Sequence, residues 1–148
     1  MERRLMMMMM WFLAITMAKA QSGLNIAPLF EGKIIPQERM VETRVKGKML
    51  SKYQLTFFRS IRFEAKDKTE ISRIHDMIDK DQKANPNFAY AENYFSQKSH
   101  AKETLMLQLS KSGTQNRFLC YKRKDNDVTV VYIEGTVNSV YALKDILK

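Results

Sequence analysis

Three strand-like segments follow one another near the C-terminus, and only short turns separate them. Leu105, Leu107 and Leu109 alternate with more polar or flexible residues, and 117–124 and 127–135 are rich in β-branched and aromatic residues. Parallel neighbours would need a crossover of a dozen or more residues, which neither turn provides. The segments are therefore predicted to form an antiparallel meander, against which the rest of the chain must pack.

The chain before this meander changes its periodicity twice. Residues 40–46 and 53–65 are predicted to be strands, because both are rich in residues that suit a pleated surface. Ile71, Ile74 and Ile78 then follow a helical spacing and form one apolar stripe. A helix is therefore predicted between these strands and the meander.

Capping signals delimit the predicted helices. Asp67 and Glu70 have the spacing of a capping box, and Asn85-Pro86 gives a stop. A second, shorter helix is predicted at 137–147, with Asn138 or Ser139 as its cap.

These elements predict an α+β fold. The expected architecture has two layers, with an antiparallel sheet of four to five strands and two helices packed on one face. The other face would remain open to water, which makes it the expected working surface.

The N-terminal residues have the pattern of a secretory signal. Arg3 and Arg4 precede an uncharged, mostly apolar run, and Ala18-Lys19-Ala20 forms a small-residue cleavage site. We expect export to the periplasm or the cell exterior with cleavage after Ala20; an uncleaved N-terminal anchor is the alternative. Removal of the first 20 of 148 residues leaves 128, the size of one domain. This mature chain would comprise an extended arm at 21–39, anchored by Leu29 and Phe30, and a single domain at 40–148.

The charge and the cysteine content exclude some classes of function for this chain. The formal net charge is +9, but acidic and basic residues are interspersed, and export argues against a nucleic-acid partner. Cys120 is the single cysteine, so the chain cannot form an internal disulfide or a multi-cysteine metal site. A weak contact with an anionic surface and a homodimer both stay open.

Candidate catalytic residues are sparse. His75 and Asp79 are adjacent on a helix face, but the second histidine, His100, is far away in the sequence, so no metal site or cofactor is predicted. Cys120 is expected to be a buried structural thiol, and no serine motif of a hydrolase is present. No catalytic residue is therefore assigned; a small hydrolase using His75 with Asp79, or Cys120, is the less favoured alternative.

Aromatic and arginine side chains give the most specific binding hypothesis. Aromatic rings beside guanidinium groups suit sugars or extended peptides, although an ordinary core would use the same tyrosines. The candidate binding residues are Phe58, Arg59, Arg62, Tyr90, Tyr94, Tyr121 and Tyr132.

Two stretches resemble a known group of proteins. "VKGKMLSKYQLTFFRSIRF" (45–63) and "NRFLCYKRKDNDVTVVYIEGTV" (116–137), behind a signal that ends in "AQ", are similar to small exported Bacteroidetes proteins of unknown function. The "NR-aromatic" strand and the strand closing on "Y-x-E-G" carry the similarity. The resemblance implies an exported α+β domain at the periplasm or cell surface, and it implies no reaction.

The sequence thus favours a non-enzymatic binding module of the bacterial envelope, with an envelope protein or a glycan as its partner. A structural subunit of an envelope assembly is the main alternative. It would associate through an apolar patch or an edge strand.

Overall fold

The computed structural model describes residues 24–84, 89–92 and 102–146. Four α-helices lie in these ranges: α1 (Ala27–Phe30), α2 (Lys48–Ser51), α3 (Lys68–Ala84) and α4 (Val140–Ile146), with a short 3-10 helix at Gln37–Arg39. The strands are β1 (Val41–Lys46), β2 (Leu55–Glu64), β3 (Ala89–Glu92), β4 (Lys102–Ser112), β5 (Gln115–Lys124) and β6 (Asp127–Gly135). The expected signal at 1–20 lies outside the described residues.

All six strands form one antiparallel sheet in the order β1-β2-β6-β5-β4-β3. The meander β4-β5-β6 is confirmed, as are the two earlier strands. A short sixth strand, β3, pairs with β4 in a segment where no strand was predicted. The β5–β6 turn is at Asp125-Asn126, where Asp125 adopts a positive φ of 54°.

The start of α3 confirms the capping prediction. The Glu70 amide donates to Asp67 Oδ1 at 3.0 Å, and Glu70 Oε1 accepts from the Lys66 amide at 2.7 Å. At α4, the Ala142 amide donates to Ser139 Oγ at 3.2 Å, which identifies Ser139 rather than Asn138 as the cap.

The sheet has a hydrophobic core on each face. On the α3 face, residues such as Leu107, Leu119 and Val130 pack with Ile74 and Ile78 of α3. On the α4 face, core residues from the neighbouring strand positions pack with α4. They include Met106, Phe118, Ile133, Val140 and Leu143.

The two helices therefore cover opposite faces, and the expectation that both pack on one face is wrong. The reason is the composition of the central strands. Adjacent strand residues point to opposite faces, and in β5 both Phe118 and Leu119 are buried, at 0% and 1% exposure. A sheet that is apolar on both sides needs cover on both sides.

The segment expected to be an extended arm is part of the fold. It contains α1 and the 3-10 helix, and Leu29 and Phe30 lie buried in the core of the α3 face, together with Ile26 and Ile35. This segment shares the α3 face with α3, so it supplies core that the sheet and the two longer helices do not provide.

Candidate functional site

A polar cluster links α3 to the sheet. His75 Nε2 lies 2.9 Å from Glu103 Oε2 and 3.0 Å from the Tyr121 hydroxyl, which itself donates to Glu103 Oε2 at 2.9 Å. Arg123 donates from Nε to Glu103 Oε2 at 3.0 Å and from NH2 to Oε1 at 2.8 Å. Three side chains, those of His75, Tyr121 and Arg123, thus contact the Glu103 carboxylate, and Arg123 contacts both of its oxygens.

The cluster follows from strand register. Glu103 pairs with Arg123 across β4 and β5, and Leu105 pairs with Tyr121 in the next position on the same face. The Glu103 side chain is only 8% exposed. A buried carboxylate needs such partners, because an unpaired charge away from water is costly.

The electrostatics of the cluster favour a Glu103 carboxylate that is ionised at neutral pH. Burial alone would raise the pKa of Glu103, but hydrogen bonds from Arg123, Tyr121 and His75 outweigh it and lower that pKa to about 2. Burial and the neighbouring Glu103 carboxylate raise the pKa of Tyr121. A general acid or base works best with a pKa near the working pH. The geometry is therefore suited to fixing α3 on the sheet rather than to proton transfer at Glu103.

Arg59, a predicted binding residue, forms a second buried polar contact. Its Nε donates to Glu42 Oε1 at 2.8 Å and its NH2 to the Phe30 carbonyl oxygen at 2.8 Å. The guanidinium carbon also lies 5.2 Å from the centre of the Phe30 ring. Arg59 is 9% exposed, so the structure uses it to hold the N-terminal segment on the α3 face.

Asp81 holds the same segment from α3. Its Oδ1 accepts from the Asn25 amide at 2.8 Å and from Asn25 Nδ2 at 3.1 Å, and its Oδ2 accepts from the Ile26 amide at 3.0 Å. Asp81 is 1% exposed. This role could not be predicted from the sequence, because Asp81 lies among other charged residues of the helix, a pattern typical of a solvated face.

The structure separates the predicted binding residues. Phe58 and Arg62 belong to the α4 face of β2, whereas Arg59, Tyr121 and Tyr132 belong to the α3 face. Tyr121 and Tyr132 are buried, at 1% and 0% exposure. These side chains therefore do not gather on one accessible face, because adjacent residues of a strand point to opposite faces of the sheet.

The remaining two candidates are tyrosines of the segment after α3. Tyr90 lies in β3, opposite Met106 in the strand register. Tyr94 lies outside the described residues, as does His100.

Of the residues of the hydrolase alternative, Cys120 lies apart from His75, whereas His75 and Asp79 share α3. Cys120 packs against the core of the α4 face, whereas His75 contacts Tyr121 on the α3 face. Burial raises the pKa of the Cys120 thiol to about 12, and a reactive cysteine needs the opposite shift. The structure therefore offers no Cys120–His75 pair for nucleophilic catalysis.

The quoted motifs have structural explanations in this fold. Asn116 Nδ2 donates to the Val137 carbonyl at 2.8 Å and so fixes the connection to α4. The Tyr132 hydroxyl donates to Glu134 Oε1 at 2.6 Å. A Cβ added at Gly135 would overlap the carbonyl oxygen of Gln54, so glycine is required by close packing at that position.

Part of the α4 face is accessible to solvent. We define the open strand face as Thr43, Ser60, Arg62, Lys122 and Thr129, which adjoin across β1, β2, β6 and β5. Thr43, Arg62 and Lys122 are exposed and the other two are half-buried. Hydroxyl groups and two cationic side chains therefore share one surface beside the α4 core.

The described ranges also lack a metal-binding cluster and a membrane-spanning helix. No group of three or more His, Cys, Asp or Glu residues there could hold a metal ion. None of the helices in 24–84, 89–92 and 102–146 combines the length and apolar character needed to span a membrane.

The fold and its polar contacts define an α+β domain built on one antiparallel sheet and covered on both faces. The chain belongs to DUF6108, a family of unknown function, whose sequence model matches residues 13–147. No curated protein matches the chain.

Proposed function

We propose that this protein is an exported, non-enzymatic binding module of the bacterial envelope, and that its ligand is an acidic glycan bound at the open strand face. The observation that carries the proposal is the exposure of Arg62 and Lys122 on one sheet face, on either side of Thr129 in the register. A carboxylate or sulfate group would pair with these cations. The hydroxyls of Ser60 and Thr129 would bind neighbouring sugar hydroxyls.

Arg62 remains available for such a ligand. Its ion pair with Asp127 is 3.6 Å long, and the two side chains are 65% and 55% exposed. Exposed pairs of this kind contribute little to stability, about 0–1 kcal/mol. A bound anion can therefore compete for Arg62 without disturbing the fold.

The polar clusters on the α3 face support a non-enzymatic role. Glu103 has both carboxylate oxygens bound by Arg123, and Asp81 is occupied by backbone and side-chain donors. These carboxylates hold the helix and the N-terminal segment in place. Because these carboxylates on the α3 face are used for structural contacts, the α4 face is left as the surface for ligands.

Export is the second component of the proposal and has its own test. The protein should be produced from its full coding sequence in a bacterial host, and its N-terminus determined by mass spectrometry. A chain that begins at Gln21 and lies in the periplasmic or external fraction is expected. An unprocessed chain in the cytosol would contradict export.

Ligand binding is tested by calorimetry with a uronic-acid oligosaccharide and a neutral oligosaccharide of equal length. We expect binding of the acidic sugar alone, and a loss of about tenfold or more in affinity in the double variant Arg62→Ala, Lys122→Ala. The matched control is Arg73→Ala, Lys80→Ala, which removes two exposed charges from α3, a helix on the opposite face. Equal effects of the two double variants, or equal binding of both sugars, would refute the proposed site.

A further inference from the structure

The edge strand β1 has the features of a self-complementary interface. Among the strands in the described ranges it pairs with β2 alone, and it therefore forms one edge of the sheet. Five of its six residues are exposed, and Val41 reaches 70% exposure. The outer edge of such a strand presents backbone donors and acceptors that can pair with another strand.

The sequence of β1, Val-Glu-Thr-Arg-Val-Lys, fits an antiparallel copy of itself in one register. Pairing must keep each residue on its own face of the sheet, so only registers that match odd positions with odd, and even with even, are allowed. A two-fold axis at Thr43 places Glu42 opposite the Arg44 of a second copy, and Val41 opposite the second copy's Val45. Each contact then occurs twice, as an isologous interface requires.

The neighbouring registers are disfavoured by like charges. An axis at Glu42 would pair the two Glu42 residues directly, and an axis at Arg44 would pair the two Arg44 residues. Like charges directly opposite each other destabilise a strand pair, whereas opposite charges stabilise it. The Thr43-centred register is therefore the one selected by charge.

The side-chain geometry already present suits this register. Arg44 Nε and Arg59 Nε both donate to Glu42 Oε1, at 2.6 and 2.8 Å. Both hydrogen bonds end on Glu42 Oε1, so the Glu42 carboxylate is held on the strand beside Arg44, the residue that would face the second copy's Glu42.

We propose that two copies of this chain associate through antiparallel β1–β1 pairing centred on Thr43, which joins their sheets into one of twelve strands. A five-residue strand pair buries far less than the roughly 1,200 Å² of a stable interface. The dimer is therefore weak and concentration-dependent. This inference stands apart from the proposed glycan ligand, because it requires only the strand edge.

Cysteine cross-linking tests the axis directly. In the proposed dimer the two Thr43 Cα atoms face each other at about 4.5–5.5 Å, within the range that a disulfide spans. The two Val41 positions lie four residues out of register, roughly 13 Å apart. With copper(II) phenanthroline as oxidant, Thr43→Cys should form a reducible covalent dimer. Val41→Cys and the wild type, in which Cys120 is the only thiol, should stay largely monomeric. Equal cross-linking of the two variants would overturn the axis.

Charge reversal tests the register without a covalent bond. Arg44→Glu places like charges opposite each other at two positions and should weaken dimerisation by about tenfold in sedimentation equilibrium. Lys46→Glu makes the same charge change on the same strand and face, but Lys46 has no partner within the proposed five-residue pairing, so dimerisation should be unchanged. If Lys46→Glu weakens dimerisation instead, the result would indicate the register centred on Arg44.

A wild-type protein that is monomeric up to about 1 mM would overturn the proposal entirely. Circular dichroism confirms that each variant is folded.

Discussion

Replacement of Glu103 by Gln tests whether the α3 cluster stabilises the fold. The substitution keeps the side-chain shape but removes the negative charge that Arg123 contacts at both oxygens. The lowering of the Glu103 pKa from 4.5 to about 2 corresponds to about 3 kcal/mol of stabilisation by the ionised form. This estimate agrees with the roughly 3–5 kcal/mol lost when one partner of a buried ion pair is removed. We expect Glu103→Gln to lower the free energy of unfolding by about 3 kcal/mol at neutral pH.

The pH dependence gives a sharper form of this prediction. Because the folded pKa of Glu103 lies below the unfolded value, its stabilisation is present above about pH 4.5 and is lost as the pH falls to about 2. Glu70, bound by Arg39 at both oxygens, also has a lowered pKa of about 2 and contributes in the same pH range. The difference between wild type and Glu103→Gln isolates the Glu103 part. That difference should shrink towards zero in acid.

The assay is urea unfolding followed by far-ultraviolet circular dichroism at several pH values. Trp11, the single tryptophan, lies in the expected signal and is unsuitable as a probe of this domain. Glu38→Gln is the matched control, because Glu38 is exposed and its removal should change stability by less than about 0.5 kcal/mol. A Glu103→Gln protein as stable as Glu38→Gln at neutral pH, or a stability difference that does not change with pH, would refute the reasoning.

Three further predictions concern other contacts. Asp81→Asn should lower the free energy of unfolding by about 1–3 kcal/mol, because an amide nitrogen would face backbone N–H groups that now donate to the carboxylate. Hydrogen exchange should accelerate at the Asn25 amide, and unchanged exchange there would contradict the prediction. Gly135→Ala should lower the free energy of unfolding by about 3 kcal/mol in thermal or urea unfolding, because the added Cβ would overlap the Gln54 carbonyl oxygen. An unfolding curve like that of the wild type would contradict this and show that the strand can shift at this position. Cys120 should react with Ellman's reagent far more slowly in the native state than in urea at about pH 8, because burial raises its thiol pKa to about 12; equal rates would contradict this.

Local patterns predicted the elements of this fold well. The β-branched and aromatic residues of 127–135 predicted β6 within its observed bounds, and the isoleucine spacing with the Asp67 cap predicted α3. Both signals arise within the element itself. The short β3 lacked such a signal, because four residues are too few to establish a period.

The placement of elements in space was harder to predict. Nothing in the 137–147 pattern indicates which face of a sheet the helix will cover. The sign available in the sequence was the adjacent apolar pair Phe118 and Leu119, which the structure buries on opposite faces. In the N-terminal segment the anchors Leu29 and Phe30 were predicted, but its helical turns and polar contacts were not, for a similar reason. Its contacts with Asp81 and Arg59 join residues more than 25 positions apart, and spacing along the chain cannot reveal them.

The Glu103 cluster was missed, although the sequence contains a sign of it. Glu103 continues the period of Leu105 and Leu107, so a charged residue falls at an inward position of a buried strand. Arg123 continues the period of Tyr121 in the same way. When two opposite charges fall at inward-facing positions of adjacent strands, they indicate a buried ion pair.

The measurement that tests the central proposal most directly is an NMR titration of the ¹⁵N-labelled protein with the uronic-acid oligosaccharide. Binding at the open strand face predicts saturable shifts of the amides of Ser60, Arg62, Lys122 and Thr129, with little change at His75 on the opposite side of the sheet. Shifts confined to the α3 face, or a spectrum that does not respond to the acidic sugar, would contradict the proposed binding surface.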